Sequence, residues 1–315
     1  MSEAVYWDRD RTVPVPSGTV RVRVPAKINL HLGVGPERPD GYHDLHTVYQ
    51  AISLYDDLTA IRSDNLALTI EGEGAGVLPV DDGNLAVKAA RLLAAHAGLP
   101  PDVRLHLRKH IPVAGGLAGG SADAAAALVA CDALWGTGLS RDALATLAAK
   151  LGSDVPFLVL GGTALGTGRG EIVNPVLAAG QWHWVVAVAN GGLSTPAVYR
   201  ELDRLRAARR VPSVGEPDRL LTALRQHDPA VLADALANDM QPAALTLRPS
   251  LRRTLLAGEE EGALAGLVSG SGPTCVFLAR DAEHATKVAA RLAGRDVCRT
   301  VRTAHGPVPG ARVVS

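Results

Sequence analysis

Residues 112–127 read PVAGGLAGGSADAAAA: four glycines and a serine ahead of an alanine run. Glycines let backbone N–H groups approach a ligand closely and permit positive φ. A helix opening near Ser121 adds free N–H donors and the positive end of its dipole. That is chemistry for a di- or triphosphate. The spacing from Gly115 to Gly120 and Ser121 has the outline of a P-loop, but the P-loop lysine is missing. A linker or a tight helix-packing turn is the plainer reading. The loop abuts an alanine-rich helix rather than a Ser/Pro-rich segment, which favours phosphate. The dinucleotide fingerprint GxGxxG is absent, which weighs against a nicotinamide-dependent oxidoreductase.

Three further residues could act on a phosphate held there. Asp154 lies in GSDVPF, and Pro156 pushes Val155 towards extended backbone. An acid in a rigid loop can serve as general base for a hydroxyl, although a turn-forming aspartate is an equally good account. Lys27 lies on a period-2 strand and could neutralise a phosphate or hold an aspartate ionised. Asp123, in the opening turn of the helix, either complements its dipole or approaches a magnesium ion. A last glycine cluster, SGSGPT at 269–274, either buttresses the phosphate loop or makes a tight turn.

The elements that must position these residues follow from periodicity. In TVRVRVPAKINLHLGVG, 19–35, every even position is apolar, so this is a half-buried strand, bent at Pro25. Lys27, Asn29 and His31 share its other face about 6.6 Å apart, where a solvated surface is the commoner fate. Residues 36–46 are turn-rich, followed by a strand at 48–55 and a polar strand pair near 57–71. A helix is expected over 84–97, a strand over 103–110, a helix over about 121–135, and another from Ser140 to near Gly152. GSDVPFLVLGGTALGTGRGE reads as a loop, a strand and a glycine-rich turn. Beyond about 176 the texture changes to a strand at 182–189, Leu/Ala/Arg helices over 196–261, a helix at 281–293 and a strand at 297–303. The boundary between two α+β halves is placed there, and the HGPVPGARVVS tail is expected to be loosely held.

Composition narrows the class. The 315 residues carry 32 basic and 32 acidic side chains, so nothing suggests nucleic acid or an anionic membrane as partner. The N-terminus has no apolar signal core, and no apolar run approaches the roughly 20 residues of a membrane span, so a cytoplasmic protein is expected. Cys131, Cys275 and Cys298 are far apart and form no CxxC pair. Cys131 and Cys275 fall in apolar patterns and read as buried, inert thiols.

Three motifs in order resemble the signature regions of the GHMP kinases: PAKINL with DGYH, then PVAGGLAGGSADAA, then LVSGSGPTCVF. The resemblance covers about 20–303. It implies an α+β, two-domain fold: a ribosomal protein S5 domain 2-like domain over 1–175 that binds ATP and carries catalysis, and a ferredoxin-like substrate domain over 176–315. It also implies an ATP loop without a Walker lysine. More narrowly, PAKINLHLGVGPERPDGYHDLHTVYQ and LGSDVPFLVLGGTALGTGRGE are similar to family members that phosphorylate the 2-hydroxyl of 4-(cytidine-5'-diphospho)-2-C-methyl-D-erythritol. That reaction belongs to the non-mevalonate isoprenoid route.

The resemblance also implies roles. Lys27 and Asp154 match the catalytic pair, with Asp154 taking the hydroxyl proton. Pro112, Val113, Ala114, Gly115, Gly116, Leu117, Ala118, Gly119, Gly120, Ser121 and Ala122 match the ATP phosphate loop. Tyr42 and His43 match residues that hold the cytidine, Asn29 a polar substrate contact, and Tyr199 an aromatic that stacks on cytosine. Magnesium would arrive with ATP, and no residue is assigned as its ligand. Ala114 and Ala118 stand where glycines are frequent, and alanine favours negative φ. Ala122 replaces a second hydroxyl. The alternatives are a GHMP kinase for mevalonate, homoserine or a sugar, and a nucleotide-binding regulator without catalysis.

Overall fold

The computed structural model describes residues 18–113 and 115–314. Strands β1 (Thr19–Glu37) and β2 (His43–Arg62) form a long antiparallel ladder, from Thr19 opposite Ile61 to Glu37 opposite His43. Its register shifts between Pro25 and Ala26, where proline has no N–H for the ladder. Strand β3 (Ala67–Gly72) and helix α1 (Leu85–Ala97) follow, the helix capped by Asn84, which accepts from the Ala86 N–H. Next come β4 (Val103–Lys109), α2 (Gly119–Trp135), α3 (Arg141–Ala148), α4 (Val155–Leu160), β5 (Thr163–Thr167) and β6 (Ile172–Pro175). The sheet order is β1-β2-β4-β3, with β5 paired to β2 and β6 to β5.

Helix α2 is apolar on every side and is buried between this sheet, α1 and α4. Its alanines at 122 and 124–127 are fully buried, and their small side chains allow that close approach. The phosphate-loop candidate is thus joined to a deeply packed helix.

The second sheet starts at β7 (Trp182–Val188). Helices α5 (Thr195–Ala207), α6 (Asp218–Gln226) and α7 (Pro229–Ala233), strand β8 (Ala237–Asn238), and helices α8 (Gln241–Leu247) and α9 (Ser250–Glu260) follow. Then come β9 (Ala265–Val268), β10 (Cys275–Ala279), α10 (Ala282–Ala293), β11 (Thr300–Gly306) and β12 (Arg312–Val314). The order β11-β7-β10-β9 is antiparallel throughout, with α9 and α10 packed on it, as in a ferredoxin-like sheet. Cys131 and Cys275 are buried as expected, and burial pushes both thiols up.

Three expectations fail, each for a physical reason. The strand expected at 48–55 and the first of the polar pair are one strand, β2, because β1 offers a continuous partner along its length. The FLVL stretch after GSDVP is a helical turn, α4, with strand β5 only afterwards. A short apolar run has no period to separate the two, and Pro156 is tolerated in the first helical turn, so Val155 is helical rather than extended. The tail is not loose. Strand β12 pairs with β1, placing Arg21 opposite Val314, and Val308 and Ala311 are buried. Strand β8 also joins β1, in parallel, at His31 and Leu32. Deleting residues 307–315 is expected to lower the free energy of unfolding by about 2 kcal/mol or more, read by urea denaturation, because it exposes the Val308 pocket and an edge of β1.

Candidate active site

Strand β1 carries Lys27 and Asn29 on one face, and both are buried, at 4% and 3% exposure, as is His31. The solvated face that such residues usually form is therefore absent. Lys27 Nζ donates to Asn29 Oδ1 at 2.7 Å, and Asn29 Nδ2 donates to Thr47 Oγ1 at 2.8 Å. Thr47 in turn donates to the His31 carbonyl. Lys27 Nζ also lies 5.4 Å from the Tyr49 ring centroid and 3.5 Å from Asp154 Oδ2. His31 donates through Nε2 to the Gly215 carbonyl, and burial lowers its pKa.

Asp154 is the N-cap residue of α4, yet its side chain caps nothing and stays available to Lys27 and the cleft. Phe157, one turn on, stacks on Tyr49 with ring centroids 4.9 Å apart. Burial raises the Tyr49 phenol well above its usual range, and the Asp154 carboxylate beside it adds to this.

The glycine loop bridges β4 to α2. Gly116 has φ 100, and a Cβ there would lie 2.4 Å from the Ser269 carbonyl oxygen. A Cβ on Gly115 would lie 2.1 Å from the Gly272 carbonyl oxygen. The SGSGPT turn between β9 and β10 does buttress the loop: Ser269 Oγ donates to the Gly116 carbonyl and Thr274 Oγ1 to that of Gly115, each at 2.8 Å. Ala118 adopts φ 56 and ψ 37, so the negative φ expected of it is overruled by the need to start α2 there. Ala114 lies outside the described residues.

Lys27, Asn29, Asp154, Gly115, Gly116, Ala118, Gly119, Gly120, Ser121 and Tyr199 together line a cleft of about 400 Å³. Leu117 and Ala122 are buried in the core instead. Pro112 and Val113 line a neighbouring cavity of about 220 Å³, with Leu78, Asn84, Leu85 and Ile111, and Gly119 and Gly120 border both spaces. Tyr42 is half-exposed at the rim, with the Arg169 guanidinium 5.0 Å from its ring centroid. His43 is buried, its ring stacked on Tyr199 at 4.8 Å.

Sequence reasoning missed three contributors. Arg169, on the β5–β6 turn, is a second cation lining the cleft, and GTGRG was read only as a turn. Lys109 and Asp56 form a buried cluster with Asp123. Lys109 Nζ donates to Asp56 Oδ2 at 2.6 Å and to both Asp123 oxygens, while Asp56 Oδ1 accepts the N–H groups of His110 and Ile111. The signal was present, because Lys109 falls in phase with Val103, Leu105 and Leu107 on the buried face of β4. Asp123 therefore anchors a lysine under the loop, beyond the first helical turn, rather than complementing the dipole.

Two profiles match the chain in order: GHMP kinases N terminal domain over 84–162 and GHMP kinases C terminal over 220–296. A 4-diphosphocytidyl-2-C-methyl-D-erythritol kinase of Salinispora arenicola (strain CNS-205) is 71% identical over 315 residues, 99% of this chain and 100% of that protein. The chain belongs to the GHMP kinase family. A protein of the same name from Mycobacterium tuberculosis (strain ATCC 25177 / H37Ra) is 58% identical over 301 residues, 96% of this chain and 95% of that one. A crystal structure of 4-(cytidine 5'-diphospho)-2C-methyl-D-erythritol kinase aligns with TM-score 0.74 at 35% identity, covering 90% of this chain and 98% of that one. A homoserine kinase from Cytophaga hutchinsonii aligns with TM-score 0.75 at 18% identity, a likeness of fold alone. ATP is a substrate of GHMP kinases, and among the described residues no helix is long and apolar enough to cross a membrane.

Two outcomes test the energetics of the loop. Ala118→Gly relieves a left-handed alanine and is expected to stabilise the protein by about 1 kcal/mol in urea denaturation. The second concerns Asp123, whose carboxyl is pushed up to about 7, by burial first and by Asp56, with Lys109 opposing. An acid whose folded pKa exceeds its unfolded value holds its proton longer when folded. Stability then falls as pH rises through the window from the ordinary value 3.8 to about 7. Asp123→Asn is expected to flatten that fall, and parallel stability–pH profiles for the two proteins would count against a buried proton.

Proposed function

We propose that this GHMP kinase transfers the γ-phosphoryl of ATP to the 2-hydroxyl of 4-(cytidine-5'-diphospho)-2-C-methyl-D-erythritol, giving the 2-phosphate and ADP in isoprenoid precursor synthesis. Relatives of that name at 71% identity over nearly the whole chain carry the choice of substrate, against kinases for mevalonate, homoserine or a sugar. The 3.5 Å contact between a buried lysine and the one carboxylate that lines the cleft among the described residues supports the mechanism.

The residues divide the work by chemistry. Asp154 accepts the proton of the attacking hydroxyl as its oxygen bonds to the γ-phosphorus and the bond to ADP breaks. Lys27, held by Asn29, keeps Asp154 ionised and faces the charge that develops on the transferred group. The backbone of the loop from Pro112 to Ala122, Ala114 included, with the N-terminus of α2, holds the phosphates, and the smaller apolar cavity beside Asn84 suits the base. Tyr42, His43 and Tyr199 hold the cytidine, and Arg169 is the cation placed to meet the substrate diphosphate. The chain divides near residue 176: the ATP loop, the catalytic pair and the Tyr42–His43 contact precede it, and Tyr199 brings a substrate contact from the part that follows. The chain works in the cytoplasm.

Magnesium fits as a companion of ATP. An ion that arrives with ATP would be held largely by phosphate oxygens. When bound it neutralises phosphate charge, and Ser121, in the first turn of α2, is the hydroxyl placed to steady it.

Asp154→Asn tests this reading in a coupled ADP assay on the cytidylyl substrate. Its kcat is expected to fall by about three orders of magnitude, with ATP binding by calorimetry within about threefold of the parent. Unimpaired turnover would sink the mechanism. Equal rates on substrates with and without the cytidine diphosphate handle would instead favour another small-molecule kinase.

A further inference from the structure

Helix α5 brings a carboxylate to the base-holding residues. Tyr199 and Asp203 are four apart on α5 and so share a face. Tyr199 stacks on His43 with an interplanar angle of 16°, and Asp203 Oδ1 lies 3.0 Å from His43 Nε2. Both contacts hold the same imidazole, one by its face and the other by its edge. The helix is itself pinned to β1. Arg206, two turns beyond Tyr199, donates to the Val34 carbonyl and to Asp239 Oδ2, and Asp239 accepts the Val34 N–H.

A carboxylate can only accept, so the hydrogen on a neutral His43 resides on Nε2. The other ring nitrogen, Nδ1, is then an acceptor, and among the described residues it has no hydrogen-bond partner. Cytosine and uracil differ on the edge such an acceptor would meet. Cytosine carries an exocyclic amino donor where uracil carries a carbonyl acceptor.

We infer that Asp203 is a positioning residue that selects cytosine over uracil. By accepting from His43 Nε2–H, it fixes the imidazole against Tyr199 with Nδ1 as the acceptor for the amino group of the base. The inference rests on the proposal that His43 and Tyr199 hold the cytidine. A uracil carbonyl facing Nδ1 leaves two acceptors opposed, and a site built to bond one edge rejects the other strongly.

The test compares kcat/KM for the cytidylyl substrate and its uridylyl analogue in the parent enzyme, Asp203→Ala, Asp203→Asn and Asp203→Glu. Preference for cytidylyl is expected to drop by about tenfold in the alanine and asparagine variants, with the loss mainly in KM. The glutamate variant is expected to recover part of it. An equal loss on both substrates would mean that Asp203 merely supports α5, and would overturn the proposal. Independently, ¹⁵N spectra of the parent enzyme are expected to show His43 as the Nε2–H tautomer. The opposite tautomer, or a ring protonated at both nitrogens in the pH range of the assay, would overturn it without any variant. A parent enzyme that turns over methylerythritol lacking the cytidine diphosphate equally well would overturn the underlying functional reading, a result distinct from either of these.

Discussion

The site depends on a buried ammonium. Lys27 is almost wholly withdrawn from water, and a buried cation persists only with partners that replace its hydration. Those partners come from three places in the chain: Asn29 on the same strand, the Tyr49 ring on β2 and the Asp154 carboxylate at the start of α4. Each is fixed by something behind it. Asn29 is held by Thr47, Tyr49 is stacked on Phe157, and Asp154 is placed by the helix that Phe157 belongs to. The packing of α4 against the sheet and the alignment of the acid with the lysine are therefore one constraint. Asp154 remains partly open to the cleft, as its proposed role of proton acceptor requires.

A second buried lysine, Lys109, does a different task with the same physics. Its two carboxylate partners hold it under the loop, and Asp56 also accepts two backbone N–H groups at the point where β4 gives way to the glycine segment. The positive charge is spent on architecture, since both carboxylates already surround it. Among the described residues only Lys27 and Arg169 remain as the cations lining the cleft. That division accounts for a glycine loop with a lysine nearby that does not act as a P-loop lysine.

Much of this was legible in the sequence. The alternation from Val20 to Val34 specifies β1, and glycines ahead of alanines specify a loop entering a buried helix. The buttressing by SGSGPT was one of two readings left open, and the hydrogen bonds from Ser269 and Thr274 decide it. What stayed hidden depends on long-range partners. Period 2 separates two faces of a strand but does not say whether the polar face meets water. Lys27 and Asn29 face a cleft walled by the glycine loop, Asp154 and the start of α5, and His31 is closed over by the Gly215 segment. The tail illustrates the same limit. Its Pro and Gly content reads as loose, yet β1 has an open edge that only a distant segment can fill, and β12 fills it.

Under the proposed phosphate-binding role, the loop's backbone can do without a lysine of its own. In a trans peptide the N–H points opposite to the carbonyl that shares its plane. Thr274 and Ser269 hold the carbonyls of Gly115 and Gly116, so the N–H groups of Gly116 and Leu117 are turned away from that turn. Neither N–H makes a backbone hydrogen bond among the described residues, and Gly116 borders the cleft. Ala118, left-handed and without a capping side chain, leaves the first N–H groups of α2 free as well. The third motif thus works on the loop while its own Gly270 and Ser271 line the cleft beside Lys27. By occupying the carbonyls it aims the donors, and fixed donors supply a phosphate with what a mobile lysine would otherwise bring.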